Sequence, residues 1–117
     1  LLLQPQSRSE VLRAFLMEGG YRITRERLVY DRGILYPVLE ARGGEMRLDE
    51  GRLLAGAYIE EDPLGDQRLI SLILRDFAAL AGLLRAGAGA GERAEALRRE
   101  ITALITLREE WRHANGT

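Results

Sequence analysis

The spacing of apolar residues changes period near residue 63, and that change restricts the fold more than any single motif. Upstream, apolar side chains alternate or run on successive positions in short bursts bounded by Gly, Pro and Asp, which is how strands read. Downstream they step by three and four. Ile70, Ile73, Phe77, Leu80 and Leu84 share one stripe, and after the Gly87 to Gly91 loop Leu97, Ile101, Leu104, Leu107 and Trp111 share another. The pattern predicts an α/β unit over residues 1–60 and an antiparallel coiled-coil hairpin of two long helices over residues 61–117. The glycine-rich loop between the helices reads as a flexible turn rather than a phosphate cradle.

Within the first unit, Leu1-Leu2-Leu3-Gln4-Pro5-Gln6 reads as a strand that ends abruptly in polar groups. An apolar run on successive positions predicts cover on both faces, as in a mostly parallel α/β sheet whose other strands lie largely outside this chain. The ligand crevice of such sheets lies beyond the carboxyl ends of the strands, so Gln4, Pro5 and Gln6 form the first candidate site. Ser7 and Glu10 have capping-box spacing and should start a helix. On it Val11, Leu12, Phe15 and Leu16 are expected to face the core, with Arg13 and Glu18 outward, until Gly19-Gly20 caps it.

A second strand is predicted from Tyr21 to Thr24, resuming at Leu28-Val29-Tyr30, and a third from Ile34 to Leu39, antiparallel to it across the Asp31-Arg32-Gly33 turn. Pro37 cannot donate to a ladder and therefore implies an edge position or a bulge. Leu53, Leu54 and Ala57 to Ile59 should pack as one or two helical turns capped by Asp49.

Composition narrows the chemistry. There is no Cys and a single His, His113, so neither a disulfide framework nor a metal site is expected. Residues 1–60 hold nine Arg against nine acidic residues, and residues 61–117 hold eight against nine, so no half is a basic arm. No stretch is long and apolar enough to span a bilayer and no leader-like segment opens the chain, which predicts a cytoplasmic protein with no membrane partner.

One family resemblance rests on an ordered series of short signatures: Leu2-Leu3-Gln4-Pro5, Leu12-Arg13 with Phe15-Leu16, Gly20-Tyr21-Arg22-Ile23, Leu28-Val29, Asp31-Arg32-Gly33 followed by Tyr36, and Gly56. In order and spacing the series resembles the C-terminal half of the bacterial tRNA (adenine(22)-N(1))-methyltransferases. The resemblance implies a class I, Rossmann-like enzyme using S-adenosyl-L-methionine in its full-length form. The first strand here would be the fifth of seven, and the third would insert between the first two. The cofactor loop and the catalytic residues would lie upstream, so this chain alone is expected to be inactive and to bind no cofactor. Two positions depart from the family pattern: Gln6 stands where Asn is usual, and Pro37 where Glu is usual.

Methylation of adenine N1 requires a base withdrawn from the tRNA fold and aligned with the methyl sulfonium. Gln4 and Gln6, with their amide donors and acceptors, are candidates for the base edge or else simply cap the strand and the helix; the resemblance favours the first reading. Pro5 would hold the turn rigid, and Tyr36 is a candidate to stack on the base, although a strand tyrosine fits half-buried core with its hydroxyl at the rim better. Arg98 and Arg99 on the second long helix are candidates for phosphate contact, although the interspersed Glu residues favour a solvated face. The expected partners are tRNA and either the missing N-terminal half or a second copy meeting an exposed apolar sheet surface.

Two other readings stand beside this one. Gly33-Ile34-Leu35-Tyr36-Pro37-Val38-Leu39 also resembles the recognition-helix signature of the phenolic-acid-repressor family, which would make the chain a winged-helix transcription regulator with C-terminal dimerisation helices. A third reading is a non-enzymatic association module built on the helical hairpin.

Overall fold

Strand β1 (Leu2–Leu3) leads into helix α1 (Ser9–Glu18), which returns the chain to a long hairpin of β2 (Tyr21–Asp31) and β3 (Ile34–Gly43). Helix α2 (Glu50–Ala55) and a 3₁₀ turn (Ile59–Glu61) follow, and then the long helices α3 (Gly65–Arg85) and α4 (Glu92–Ala114). This computed structural model describes residues 1–5 and 8–116. Gln6 and the Ser7 of the expected capping box lie outside the described residues; α1 begins after Arg8, with no side-chain cap bond.

The sheet order is β1-β3-β2, so the last strand does insert between the first two, as the resemblance implies. Both pairings are antiparallel, and β1 and β2, though parallel to each other, never meet. The β2–β3 turn has two residues, Arg32 (φ 52°) and Gly33 (φ 82°). Left-handed values at both central positions match the twist of the strands, which is why a tight hairpin forms here. This hairpin removes the winged-helix reading, because residues 34–43 are strand rather than recognition helix. The interruption expected at Arg25-Glu26-Arg27 is also absent, and β2 runs unbroken with a register shift between Ile23 and Arg25.

That bulge decides which residues meet the core. Ile23 and Leu28 are five apart and would face opposite sides of a regular strand, yet both are buried. The extra residue resets the alternation and turns Glu26 and Leu28 to the side on which Ile23 already lies. Opposite them Ala41, Leu39 and Pro37 occupy the same face of β3.

Pro37 sits in the central strand without a bulge of its own, and the hydrogen-bond parity explains why. Leu28 pairs with Pro37, but its amide points outward to Asp62 Oδ2 at 2.7 Å, so this is a non-hydrogen-bonded pair and the proline nitrogen faces the β1 side. On that side Leu1 and Ala41 exchange both backbone bonds, which makes Pro5 and Pro37 the next hydrogen-bonded pair but one along the ladder. Neither has an N–H to give, so β1 pairing stops where the missing donors cost nothing.

Among the described residues only one sheet face is covered. Leu16 of α1 packs with Ile23, Leu39, Ala41 and Ala57, while Leu28 joins Leu54, Ala55, Ile59, Leu69, Leu72, Leu104 and Leu107 in a second cluster. The second cluster draws on β2, α2, α3 and α4, so the helical pair and the sheet share a core. The expectation that both faces of β1 are covered is not met within the described chain. Leu2 is 72% exposed, and Val29, Tyr36 and Val38 line the same uncovered face only partly shielded.

Helix α1 also corrects the periodicity reading. Val11 and Phe15 are exposed, the latter at 67%, while Arg13 is fully buried. Spacing identifies which residues share a face, but both a Ser9-Arg13-Leu16 face and a Val11-Phe15 face are periodic. The buried charge is explained by its partners.

Candidate functional site

Continuing the β1 register past Leu3, which pairs with Leu39, carries Gln4 and Pro5 toward Val38 and Pro37, next to Tyr36. Three of the predicted site residues thus gather at one end of the sheet, where β1 and β2 finish and β3 begins. Gln4 is exposed, Pro5 and Tyr36 are half-buried, and Tyr36 projects from the uncovered face. The fourth, Gln6, lies outside the described residues.

Arg98 and Arg99 are not part of this cluster. They lie on α4 toward the 86–91 loop, where Arg98 Nη1 donates to Gly89 O and to Glu95 Oε1, both at 2.8 Å. Arg98 therefore ties down the loop, while Arg99 is exposed. The opposite end of α4 is anchored instead. Arg108 Nε bonds Asp66 at 2.7 Å, Trp111 Nε1 donates to Asp62 O at 2.7 Å, and Arg52 bridges Asp49, Glu60 and Glu110.

The most buried polar cluster was not anticipated. Arg13 Nε donates to Glu26 Oε1 at 3.1 Å, and its Nη1 and Nη2 reach Leu53 O (2.8 Å), Leu54 O (3.2 Å) and Ala55 O (3.3 Å), the open carbonyls at the end of α2. Glu26 also accepts from Ala57 N at 3.0 Å. A guanidinium suits this place because its planar fork answers a carboxylate and several carbonyls at once. Gly56 completes the arrangement: its φ is 155°, and a Cβ there would come within 3.2 Å of Glu26 Oε2. The signal for the pair was an acid in mid-strand flanked by arginines, together with Arg13 and Gly56 in one signature series.

A cavity of about 490 Å3 lies beside this cluster, lined by residues including Glu26, Leu28, Tyr58, Glu61 and Asp62. Its buried acids are already committed. Glu26 serves Arg13 and Ala57, while Asp62 accepts from Leu28 N and, at 2.9 Å, from Leu64 N. Tyr58 Oη donates to Ile23 O at 2.7 Å. These contacts block the outer edge of β2, so the cavity is a seam closing the sheet rather than a reaction chamber. The β1 edge has no such cover among the described residues.

The residues at the carboxyl end of β1 do not fit S-adenosyl-L-methionine by themselves. A strand leading into a glycine-rich turn and a carboxylate for a ribose are what such a nucleotide needs, and Gln4, Pro5 and Tyr36 offer neither. What this end provides is the exposed Gln4 amide beside the half-buried Pro5 and Tyr36. Among the described residues no group of three or more acidic or His side chains could hold a metal, and no helix is long and apolar enough to cross a membrane.

Solved structures with the same architecture include the Streptococcus pneumoniae protein Sp1610 in complex with S-adenosyl-L-methionine (TM-score 0.73, 24% identity, 92% of this chain and 46% of that one). A protein of the NADB-Rossmann superfamily from Streptococcus agalactiae matches at TM-score 0.77 and 22% identity, over 92% of this chain and 47% of its own. TrmK of M. capricolum in complex with S-adenosyl-homocysteine matches at TM-score 0.74 and 15% identity, over 95% and 49%. At these identities the likeness shows the fold, which is Rossmann-like, and the chain spans just under half the length of each. No curated protein matches. The model of one family, tRNA (adenine(22)-N(1))-methyltransferase, matches residues 1–103 and so takes in the sheet, the Arg13–Glu26 pair and most of the helical pair. The chain belongs to the tRNA (adenine(22)-N(1))-methyltransferase family.

Proposed function

We propose that this chain is the substrate-side, C-terminal portion of a cytoplasmic S-adenosyl-L-methionine-dependent tRNA adenine-N1 methyltransferase, inactive alone and completed by a cofactor-binding N-terminal half. The observation that carries this reading is the unfilled side of the sheet. Among the described residues the β2 edge is blocked by Tyr58 and Asp62, whereas the β1 edge and the Leu2, Val29, Tyr36 and Val38 face stand open. An N-terminal half adding a strand beside β1 and apolar cover over that face would bury both. A second copy of this chain is the competing occupant.

In this reading the protein divides its work at residue 60. The 1–60 segment brings Gln4, Pro5, Gln6 and Tyr36 to the crevice, where amide groups meet the edge of a withdrawn adenine and Tyr36 stacks on it. The 61–117 segment, a coiled-coil-like hairpin, positions tRNA through isolated contacts such as Arg98 and Arg99 rather than through a broad field, since its charge is nearly balanced. No residue of this chain is assigned the methyl transfer itself.

The test joins the chain in frame to the N-terminal half of a matched relative and measures methyl transfer from labelled S-adenosyl-L-methionine to tRNA. Transfer to adenine N1, lost on Gln4→Ala with Tyr36→Ala while cofactor affinity is kept, supports the reading. A folded chimera that binds cofactor but neither binds nor methylates tRNA refutes it, as does micromolar cofactor binding by the 117 residues alone.

A further inference from the structure

We propose that Asp76 on α3 and Glu100 on α4 form an acid-dependent clasp, closed by a proton on Glu100, that holds the distal half of the helical pair. Asp76 lies on the buried face of α3, only 2% exposed, among leucines. Its Oδ1 receives Arg75 Nε at 3.3 Å, but its Oδ2 is buried with no hydrogen-bond partner among the described residues. The side chain across the helix pair is another carboxyl, Glu100, which cannot donate while ionised. A proton on Glu100 turns this repulsive, half-satisfied pair into a hydrogen bond that supplies the missing partner.

The position of the pair gives the proton leverage over the distal half. On the sheet side, Leu69, Leu72, Leu104 and Leu107 pack into the core that also contains Leu28, Leu54 and Ile59, and Arg108 bonds Asp66. On the loop side, α3 carries Leu80 and Leu83, both only half-buried, and α4 carries the buried Ala94 and Leu97. None of these four side chains belongs to the clusters that join the helical pair to the sheet, so an ionised pair at its root loosens this half without disturbing the base. The charged groups facing Glu100 are Asp76 and Arg75 from α3 and Arg93 from its own helix. The two arginines favour ionisation, and burial together with Asp76 opposes it. Burial and the Asp76 hydrogen bond prevail, pushing the Glu100 carboxyl up to about 7.

The sign of the effect follows. The folded chain holds this proton more tightly than the unfolded chain, so the clasp contributes its full stability below the ordinary carboxylate range and loses it as pH rises through about 7. The inference concerns the helices themselves and stands whether or not they contact tRNA.

Hydrogen exchange of the full 117-residue chain tests it between about pH 6 and about pH 8, with rates corrected for intrinsic pH dependence. Amide protection in residues 77–85 and 92–99 should fall by up to about tenfold across this window, the limit set by a Glu100 midpoint of about 7, and by less than that for its partial exposure, while β2 and β3 stay unchanged. Glu100→Gln, whose amide donates at every pH, should remove the fall, and Asp76→Asn should do the same. A fall that persists in Glu100→Gln, or protection that is flat in the unsubstituted chain, overturns the proposal. If the variants do not fold, carboxyl NMR titration of the unsubstituted chain decides. A Glu100 midpoint in the ordinary carboxylate range refutes the clasp, and one near neutrality supports it.

Discussion

Replacing Arg13 by Met keeps an unbranched, flexible apolar stem and removes the guanidinium with its charge from a site with no solvent exposure. The Glu26 carboxylate, 5% exposed, would be left with Ala57 N as its donor, and the carbonyls of Leu53, Leu54 and Ala55 would lose theirs. Breaking one side of a buried pair costs about 3–5 kcal/mol, much of it from the charge left behind. A chain of this length has a total stability on the order of 6–18 kcal/mol, so the variant should keep its fold with a sharply lowered midpoint. Urea unfolding followed by far-ultraviolet circular dichroism, with an unchanged slope, would measure the loss. Removing both charges in Arg13→Met with Glu26→Met should cost less than Arg13→Met alone, about 1–3 kcal/mol, because only neutral carbonyls and one amide are then orphaned. If Arg13→Met loses under about 1 kcal/mol, or if the double variant is the less stable of the two, the pair is not a mutually compensated buried charge and the reasoning fails.

Asp62→Ala removes the acceptor of the outward Leu28 amide and of Leu64 N; it should cost about 1–3 kcal/mol and raise Leu28 amide exchange, and unchanged exchange would show that the β2 edge is protected by something else. Gly56→Ala forces a Cβ toward Glu26 Oε2 at a φ of 155°, so a loss of about 1–3 kcal/mol is expected in the same melts, and a neutral result would mean the loop relaxes freely. In a complete enzyme, Arg98→Ala with Arg99→Ala should weaken tRNA binding and flatten its salt dependence by about one to two units of slope at constant cofactor affinity. An unchanged salt slope would return both to a structural or solvated role, which the Arg98 bond to Gly89 already provides for one of them.

Local sequence signals determined the elements of this protein. Turn chemistry at Asp31-Arg32-Gly33 specifies a two-residue hairpin, because the left-handed backbone there is readily adopted by glycine, and the structure has it. The change of apolar period near residue 63 separates a sheet-forming part from two long helices, and an ordered run of short signatures was enough to place the third strand between the first two. The meeting of Gln4, Pro5 and Tyr36 at one end of the sheet follows from the same strand order, since strand ends converge once that order is known.

Tertiary structure alone decided which faces are buried and which charges are paired. Periodicity groups Val11 with Phe15 and Arg13 with Leu16 equally well, and only the position of α2 over the sheet turns the second group inward. The bulge beyond Ile23 reverses the alternation of β2, so Glu26 enters the core on the strength of an arginine 13 residues earlier in the chain. Pro37 is tolerated in a central strand because β1 ends beside it, and Leu28 is satisfied by an aspartate 34 residues away. Each of these depends on a partner that the local sequence does not name. A buried polar group is stable only when its complement arrives from elsewhere in the fold, and the chain must be folded before that complement is known.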